Sequence, residues 1–209
     1  MNTKYIKATG LVMLMSLGLS ACAPVMLAGF AGTAMVASDR RTSGAQLEDE
    51  TIELRGSARI RDALGERAHV NINSYNRQVL LSGEVATERD KQIVEGLLEK
   101  LENVKAVVNE LSIMQPASLS SRSNDLLLSA KVKAALVDSR DLFANAFKVV
   151  TERGTVYVMG RVTQREATSA TNVIRNVNGV NKVVRLIEII SEEELRNLLP
   201  PPPADKAQK

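Results

Sequence analysis

The 209-residue chain has one cysteine, one histidine, no tryptophan and only 3% aromatic residues. One cysteine excludes an internal disulfide, so no covalent staple holds the fold. The scarcity of aromatics means that any core is aliphatic. His69, the lone histidine, stands near a strand start, where a structural role is the usual one. No phosphate loop or cluster of metal ligands accompanies it, so neither an enzyme nor a cofactor nor a metal is expected. The apolar run from Leu11 to Leu19 is too short to span a bilayer.

What is present begins with a leader. Lys4 and Lys7 give it a positive start. Leu11 to Leu19 is an apolar run of signal-peptide length. Leu19-Ser20-Ala21-Cys22 then holds the only cysteine. An aliphatic residue and two small residues before a cysteine resemble the bacterial lipoprotein lipobox. Small residues fit a peptidase pocket, and only a thiol forms the thioether to diacylglycerol. The competing reading is an ordinary signal peptide with a chance cysteine, which would leave an exported protein with a free reactive thiol. By this resemblance Cys22 is the lipid anchor, carrying diacylglycerol on its thiol and an N-acyl chain on its freed amine. Ala23, rather than Asp, follows it, which by resemblance to lipoprotein sorting rules favours the outer membrane. Loss of Lys4 and Lys7 with the leader brings the formal charge from +3 to about +1. That balance gives no support to nucleic-acid binding.

The boundaries read as a signal peptide over residues 1–21, a lipidated tether over 22–45, a first domain over 46–115, a joint over 116–122, a second domain over 123–191 and a tail over 192–209. The tether is small and apolar, then polar at Asp39 to Gln46, where Arg40-Arg41 is expected to be solvated. Glu50 to Leu64 has helical spacing, with Ile52, Gly56, Ile60, Ala63 and Leu64 on one face. Period two follows through Val70 and Ile72, a turn at Ser74 to Arg77, and a β-rich run over Gln78 to Leu81. Thr87 is placed to cap a second helix carrying Ile93, Val94, Leu97, Leu98 and Leu101, with Asp90 at the capping-box position. A last strand runs from Ala106 to Ile113.

The same order returns. Val79 to Val85 matches Val156 to Val162 at a spacing of 77, and Val104 to Val108 matches Val180 to Val184 at 76. Ala58 to Leu64 matches Ala130 to Leu136 at 72, which implies about five extra residues after the first helix of repeat two. Repetition at this length means duplicated domains rather than a solenoid.

A helix, a strand pair reading Val-x-Leu-x-Gly or Val-x-Val-x-Gly, then a helix ending in x-x-Val-x-x-Val-Val resembles the BON domain. Two of them behind a lipobox resemble the dual-BON outer-membrane lipoproteins, the family of division- and outer-membrane-stress-associated lipid-binding proteins. The resemblance covers roughly Asp39 to Ile190, including Asp39-Arg40-Arg41-Thr42 and the Ser123-Asn124-Asp125 that opens the second domain. It implies an α+β fold: tandem BON domains, each αββαβ, with a three-stranded mixed sheet packed on two helices. It also implies a non-catalytic protein of the Gram-negative outer membrane, on the periplasmic face, that binds anionic phospholipid.

Charge and helical pattern suggest which surface would meet lipid. From Gln46 to Met114 there are 9 basic and 13 acidic residues, a balance of −4; from Ser123 to Ile190 there are 10 and 6, a balance of +4. An anionic membrane would attract the second repeat; the two halves would also attract each other. In repeat two, Asn124 or Asp125 reads as an N-cap. Leu128, Val132, Ala135 and Leu136 then face the sheet. Leu126, Ala130, Lys133 and Val137 point away, with Leu127, Lys131 and Ala134 at the flank. Such a helix can lie in a membrane interface, its apolar residues inserted and its lysines snorkelling to phosphates. Some relatives carry an aromatic near Leu127, so leucine is expected to insert less strongly there. In repeat one the corresponding face offers Leu54, Ala58 and Arg61, beside Glu48, Asp49, Glu50 and Glu53. Two alternatives stay open: lipid contact, or burial of Leu126 and Leu127 against the first repeat in an adaptor for envelope-assembly or division machinery. Ser191 to Leu199 reads as a short acidic helix stopped by Pro200 to Pro203.

Overall fold

The computed structural model describes residues 39–65 and 68–198, and from Asp39 onward they form one compact unit. Cys22, the leader, most of the tether and the terminal prolines lie outside the described residues.

Repeat one opens with α1, Ser43–Leu64, two turns earlier than its periodicity suggests. Thr42 is the cap, its side chain accepting from Ala45 N at 3.1 Å. Strands β1, His69–Tyr75, and β2, Gln78–Val85, form an antiparallel hairpin. Thr87 caps α2, Glu88–Glu99, as its position predicts, accepting from Asp90 N at 3.1 Å. Then β3, Ala106–Asn109, and β4, Ser112–Ile113, run parallel to β2 in one register. They are one edge strand, interrupted where Leu111 turns into the core.

Repeat two repeats the plan with α3, Leu119–Asp138, a 3-10 turn at Ala144–Ala146, β5, Phe147–Glu152, β6, Thr155–Thr163, α4, Gln164–Arg175, and β7, Lys182–Ile190. A full capping box starts α4, with Thr163 and Glu166 bonded reciprocally. A short helix, α5, Glu192–Leu198, follows. The sheet orders are β1-β2-β3/β4 and β5-β6-β7, so the expected αββαβ fold stands in both halves.

The buried positions correct the repeat register. Asp49, Ile52, Gly56 and Ile60 on α1 correspond to Asp125, Leu128, Val132 and Leu136 on α3, a spacing of 76 throughout. The spacing of 72 was one helical turn off. A slip of four residues keeps the same face, so periodicity alone is blind to it. The five extra residues therefore do not exist. Packing explains how Gly56 and Val132 can be equivalent. A Cβ on Gly56 would meet Leu98 Cδ1 at 2.7 Å, whereas Val132 shares its cluster with the small Ala167 and Ala170 of α4.

Each sheet is apolar on both faces, and this joins the halves. Val79 and Leu81 pack on α1 and α2, while Val156 and Val158 pack on α3 and α4. The alternate residues Tyr75 and Leu80 meet Tyr157, Met159 and Leu186 in a third cluster shared by the two sheets. The layers run helix, sheet, sheet, helix. Repeat two's cations rest on repeat one's acids at the seam. Lys148 Nζ lies 2.7 Å from Glu53 Oε1, and Arg153 NH2 lies 2.8 Å from the fully buried Glu84.

Arg40 and Arg41 are not solvated. Arg40 is buried and bonds Glu166 with both terminal nitrogens, at 2.8 and 2.7 Å. Arg41 stacks over the Tyr75 ring at 4.2 Å and reaches Asp49 at 2.7 Å. Two neighbouring residues thus strap the entering chain to both repeats.

Candidate functional site

The sequence placed Asn124 or Asp125 at the start of the first helix of repeat two. In the structure the cap is Ser118, whose side chain accepts from Ser121 N at 3.2 Å. Asp125 sits a turn and a half inside α3, buried, and accepts from Arg153 N and Gly154 N, each at 2.9 Å. Those two residues form the tight β5–β6 turn, both at positive φ. Such turns require left-handed backbone that arginine adopts at a cost. The carboxylate of Asp125 offsets that cost by binding both N–H groups. Asp49 does the same for Asn76 N and Arg77 N, at 2.8 and 2.7 Å, and also accepts from Ser74 Oγ at 2.6 Å. Asp49 is therefore not one of the surface acids it resembles in a helical pattern.

With α3 starting at Leu119, its outer surface is longer than the sequence suggests. At 100° per residue, Leu119, Leu126, Ala130 and Val137 fall within about 40° of one line. Leu128, Val132 and Leu136 occupy the opposite side, on the core. Leu119, Leu126, Leu127 and Val137 are 81%, 72%, 61% and 68% exposed. Ala130, Lys131, Lys133 and Ala134 are exposed as well. All seven sequence-assigned helix residues thus share the solvent side of α3, and Leu126 and Leu127 are not buried against repeat one. Lys131 and Lys133 lie on opposite flanks of the line, and neither makes an ion pair among the described residues. Leu119 was missed because the joint's serines read as a linker. Cys22 lies outside the described residues.

The equivalent positions on α1 are Glu50, Thr51, Leu54, Arg55, Ser57, Ala58 and Arg61. Of the four acids expected there, Asp49 is buried, Glu53 is taken by Lys148 and Ser74 N, and Glu48 accepts from Asn103. Glu50 is the one left on the open face.

The seam behind α3 is polar. Burial alone would raise the carboxyl of Glu84, but the bonds from Arg153, Ala117 N and His69 outweigh it and hold it below the usual carboxylate range. His69 Nδ1 lies 3.1 Å from Glu84 Oε2, a structural contact. Glu166 is likewise held low, Arg40 and the Thr163 backbone overcoming its desolvation. Glu152 goes the other way: burial and the neighbouring Glu84 raise it. No described helix is long and apolar enough to cross a membrane.

The BON domain model matches residues 49–115 and 124–191. The chain is 31% identical over 192 residues to outer membrane lipoprotein DolP of Haemophilus influenzae, covering 91% of this chain and all of that one. It is 32% identical over 154 residues to a 21 kDa hemolysin of Actinobacillus pleuropneumoniae, covering 73% and 79% of the two chains. Among solved structures, CdsD, a structural protein of the type III secretion system of Chlamydia trachomatis, matches at 17% identity and a TM-score of 0.29, over 73% of this chain and 96% of that one.

Proposed function

The chain belongs to the BON-domain family, with two copies of the domain, and from that premise we propose that it is a non-catalytic outer-membrane lipoprotein that rests on anionic phospholipid through the outer side of α3. The relative's name supports the location on the outer membrane. The lipobox supports an acyl anchor at Cys22, with the folded part on the periplasmic face. The family resemblance supports a role in outer-membrane integrity and envelope stress resistance, at division sites.

The observation that carries the reading is the unpartnered apolar line of α3 between two lysines. Apolar side chains in the acyl boundary and ammonium groups at the phosphates satisfy both parts of that surface. Burying Leu126 and Leu127 is worth roughly 3–6 kcal/mol at most. That suits reversible contact beneath a covalent anchor. The adaptor reading has a narrower footing, because the sheets, and not α3, join the repeats.

The test is vesicle binding by the chain from Asp39 onward. Wild type is expected to bind anionic but not neutral vesicles, and Leu126→Glu or Leu127→Glu to lose that binding with the fold intact by circular dichroism. Equal binding by wild type and both variants would overturn the assignment of α3.

A further inference from the structure

Beside the apolar line of α3 runs a groove of about 360 Å³, where the second repeat meets the first. Arg122, Leu126, Ser129 and Lys133 form one wall. They stand at i, i+4, i+7 and i+11, so they make a single stripe about 16 Å long on the helix. The rest of the lining comes from β5 of repeat two, residues 149–152, and from β1 of repeat one, where Asn71 and Asn73 face the seam.

The charges in this groove are unevenly satisfied. Arg122 has a buried Nε with no hydrogen-bond partner, and neither its guanidinium nor the ammonium of Lys133 makes an ion pair among the described residues. The acids present are already engaged. Asp125 holds the two turn N–H groups, and Glu152 accepts from Asn71 Nδ2 at 3.1 Å. His69, also on the lining, is turned to Glu84. Burial and the neighbouring Glu84 raise the Glu152 carboxyl above its usual range.

We propose that this seam groove is an anion site that takes the phosphate of a phosphoglyceride headgroup, with Arg122 and Lys133 supplying the charge and Asn71 and Asn73 supplying amide donors. The inference rests on the α3 reading for its route to the bilayer and extends it to a specific headgroup position. A guanidinium fork suits phosphate oxygens, and a lysine adds a movable point charge. Leu126 stands on the groove's rim and on the apolar line at once, so a lipid whose chains lie under α3 would present its phosphate here. The first repeat would then be part of the lipid site although its own α1 lacks the apolar face.

The test follows the side-chain amide signals of Asn71 and Asn73 by NMR, using the chain from Asp39 onward. The probes are nanodiscs of anionic diacyl phospholipid and, separately, glycerol 3-phosphate, which has no acyl chains. Nanodiscs are expected to shift both amides. Arg122→Gln with Lys133→Gln is expected to remove the shift and to weaken binding about tenfold, and Glu152→Gln to tighten it about twofold. Matching shifts with glycerol 3-phosphate would show that the groove reads the phosphate itself; shifts with nanodiscs alone would show that it fills only from the bilayer. Both results support the site. Shifts confined to α3, with Arg122→Gln binding as wild type, would overturn the groove and leave the α3 reading standing. Shifts with glycerol 3-phosphate but no nanodisc binding would overturn the α3 reading and keep the groove. Silence with both probes would overturn the two together.

Discussion

On α1 the positions turned away from the sheet hold Glu50, Thr51, Leu54, Ala58 and Arg61; on α3 the same positions hold Leu126, Leu127, Ala130, Ala134 and Val137. The inner positions differ far less in kind. Asp49 and Asp125 each pin a hairpin turn, and Ile52 and Leu128 each fill the core. Duplication has thus kept what the fold needs and let the outside diverge. One copy carries a mixed polar and charged surface, and the other an apolar one flanked by lysines. The difference separates positions the fold needs from positions it leaves free, without appeal to any other chain.

The largest expected effect breaks the contrast at its working end. Leu126→Glu with Leu127→Glu lowers affinity for anionic vesicles by about a hundredfold or more. Thr51→Glu, at the matching site on α1, leaves it unchanged in the same vesicle-binding assay. Next comes the strap. Arg40→Met leaves Glu166 buried without its cation and costs about 3–5 kcal/mol in urea unfolding. Arg41→Met costs only about 1 kcal/mol, because Asp49 keeps Ser74 Oγ, Asn76 N and Arg77 N. Glu84 and Glu166 both titrate below their ordinary value of 4.5. Their stabilisation is therefore complete above that value and is lost as pH falls through the lower folded values. Arg40→Met should flatten this acid limb in unfolding curves taken from pH 5 downward, a window set by the ordinary carboxylate value.

The two hairpin aspartates give a smaller and more graded contrast. Asp49→Ala removes an acceptor from four donors and Asp125→Ala from two. Costs of about 3 and about 2 kcal/mol are expected, measured by urea midpoint. Equal costs would mean that the turn N–H bonds dominate in both. The smallest effect has the opposite sign. Glu152 is raised by burial and by Glu84, so its charge at neutral pH opposes folding. Glu152→Gln should raise stability at pH 7, and the gain should fade as pH falls toward 4.5 and the wild-type carboxyl protonates.

Much of this was legible in the chain itself. The strand pairs, the Thr87 cap and the outer side of α3 follow from period and residue type, because each depends on neighbours a few residues away. The rest depends on distant partners. Asp125 looks like a cap or a solvated acid because the N–H groups it holds are 28 and 29 residues on. Arg40 looks like linker because Glu166 is 126 residues on. Leu119 was hidden behind serines that read as a joint but form the first turns of α3. The groove between Arg122 and Asn73 could not be read at all, since it exists only once the sheets have met.

The meeting of the sheets has a consequence for how the chain matures. A first repeat made alone presents Tyr75, Leu80 and Val108 bare on its far face, an adhesive surface until the second repeat arrives to cover it. The pair is in effect a dimer written into one polypeptide. The short joint between β4 and α3 holds the two halves at an effective concentration of about millimolar or above. Assembly is therefore independent of how many copies the cell makes, and a chain cut off after its first half would be left as a target for envelope proteases.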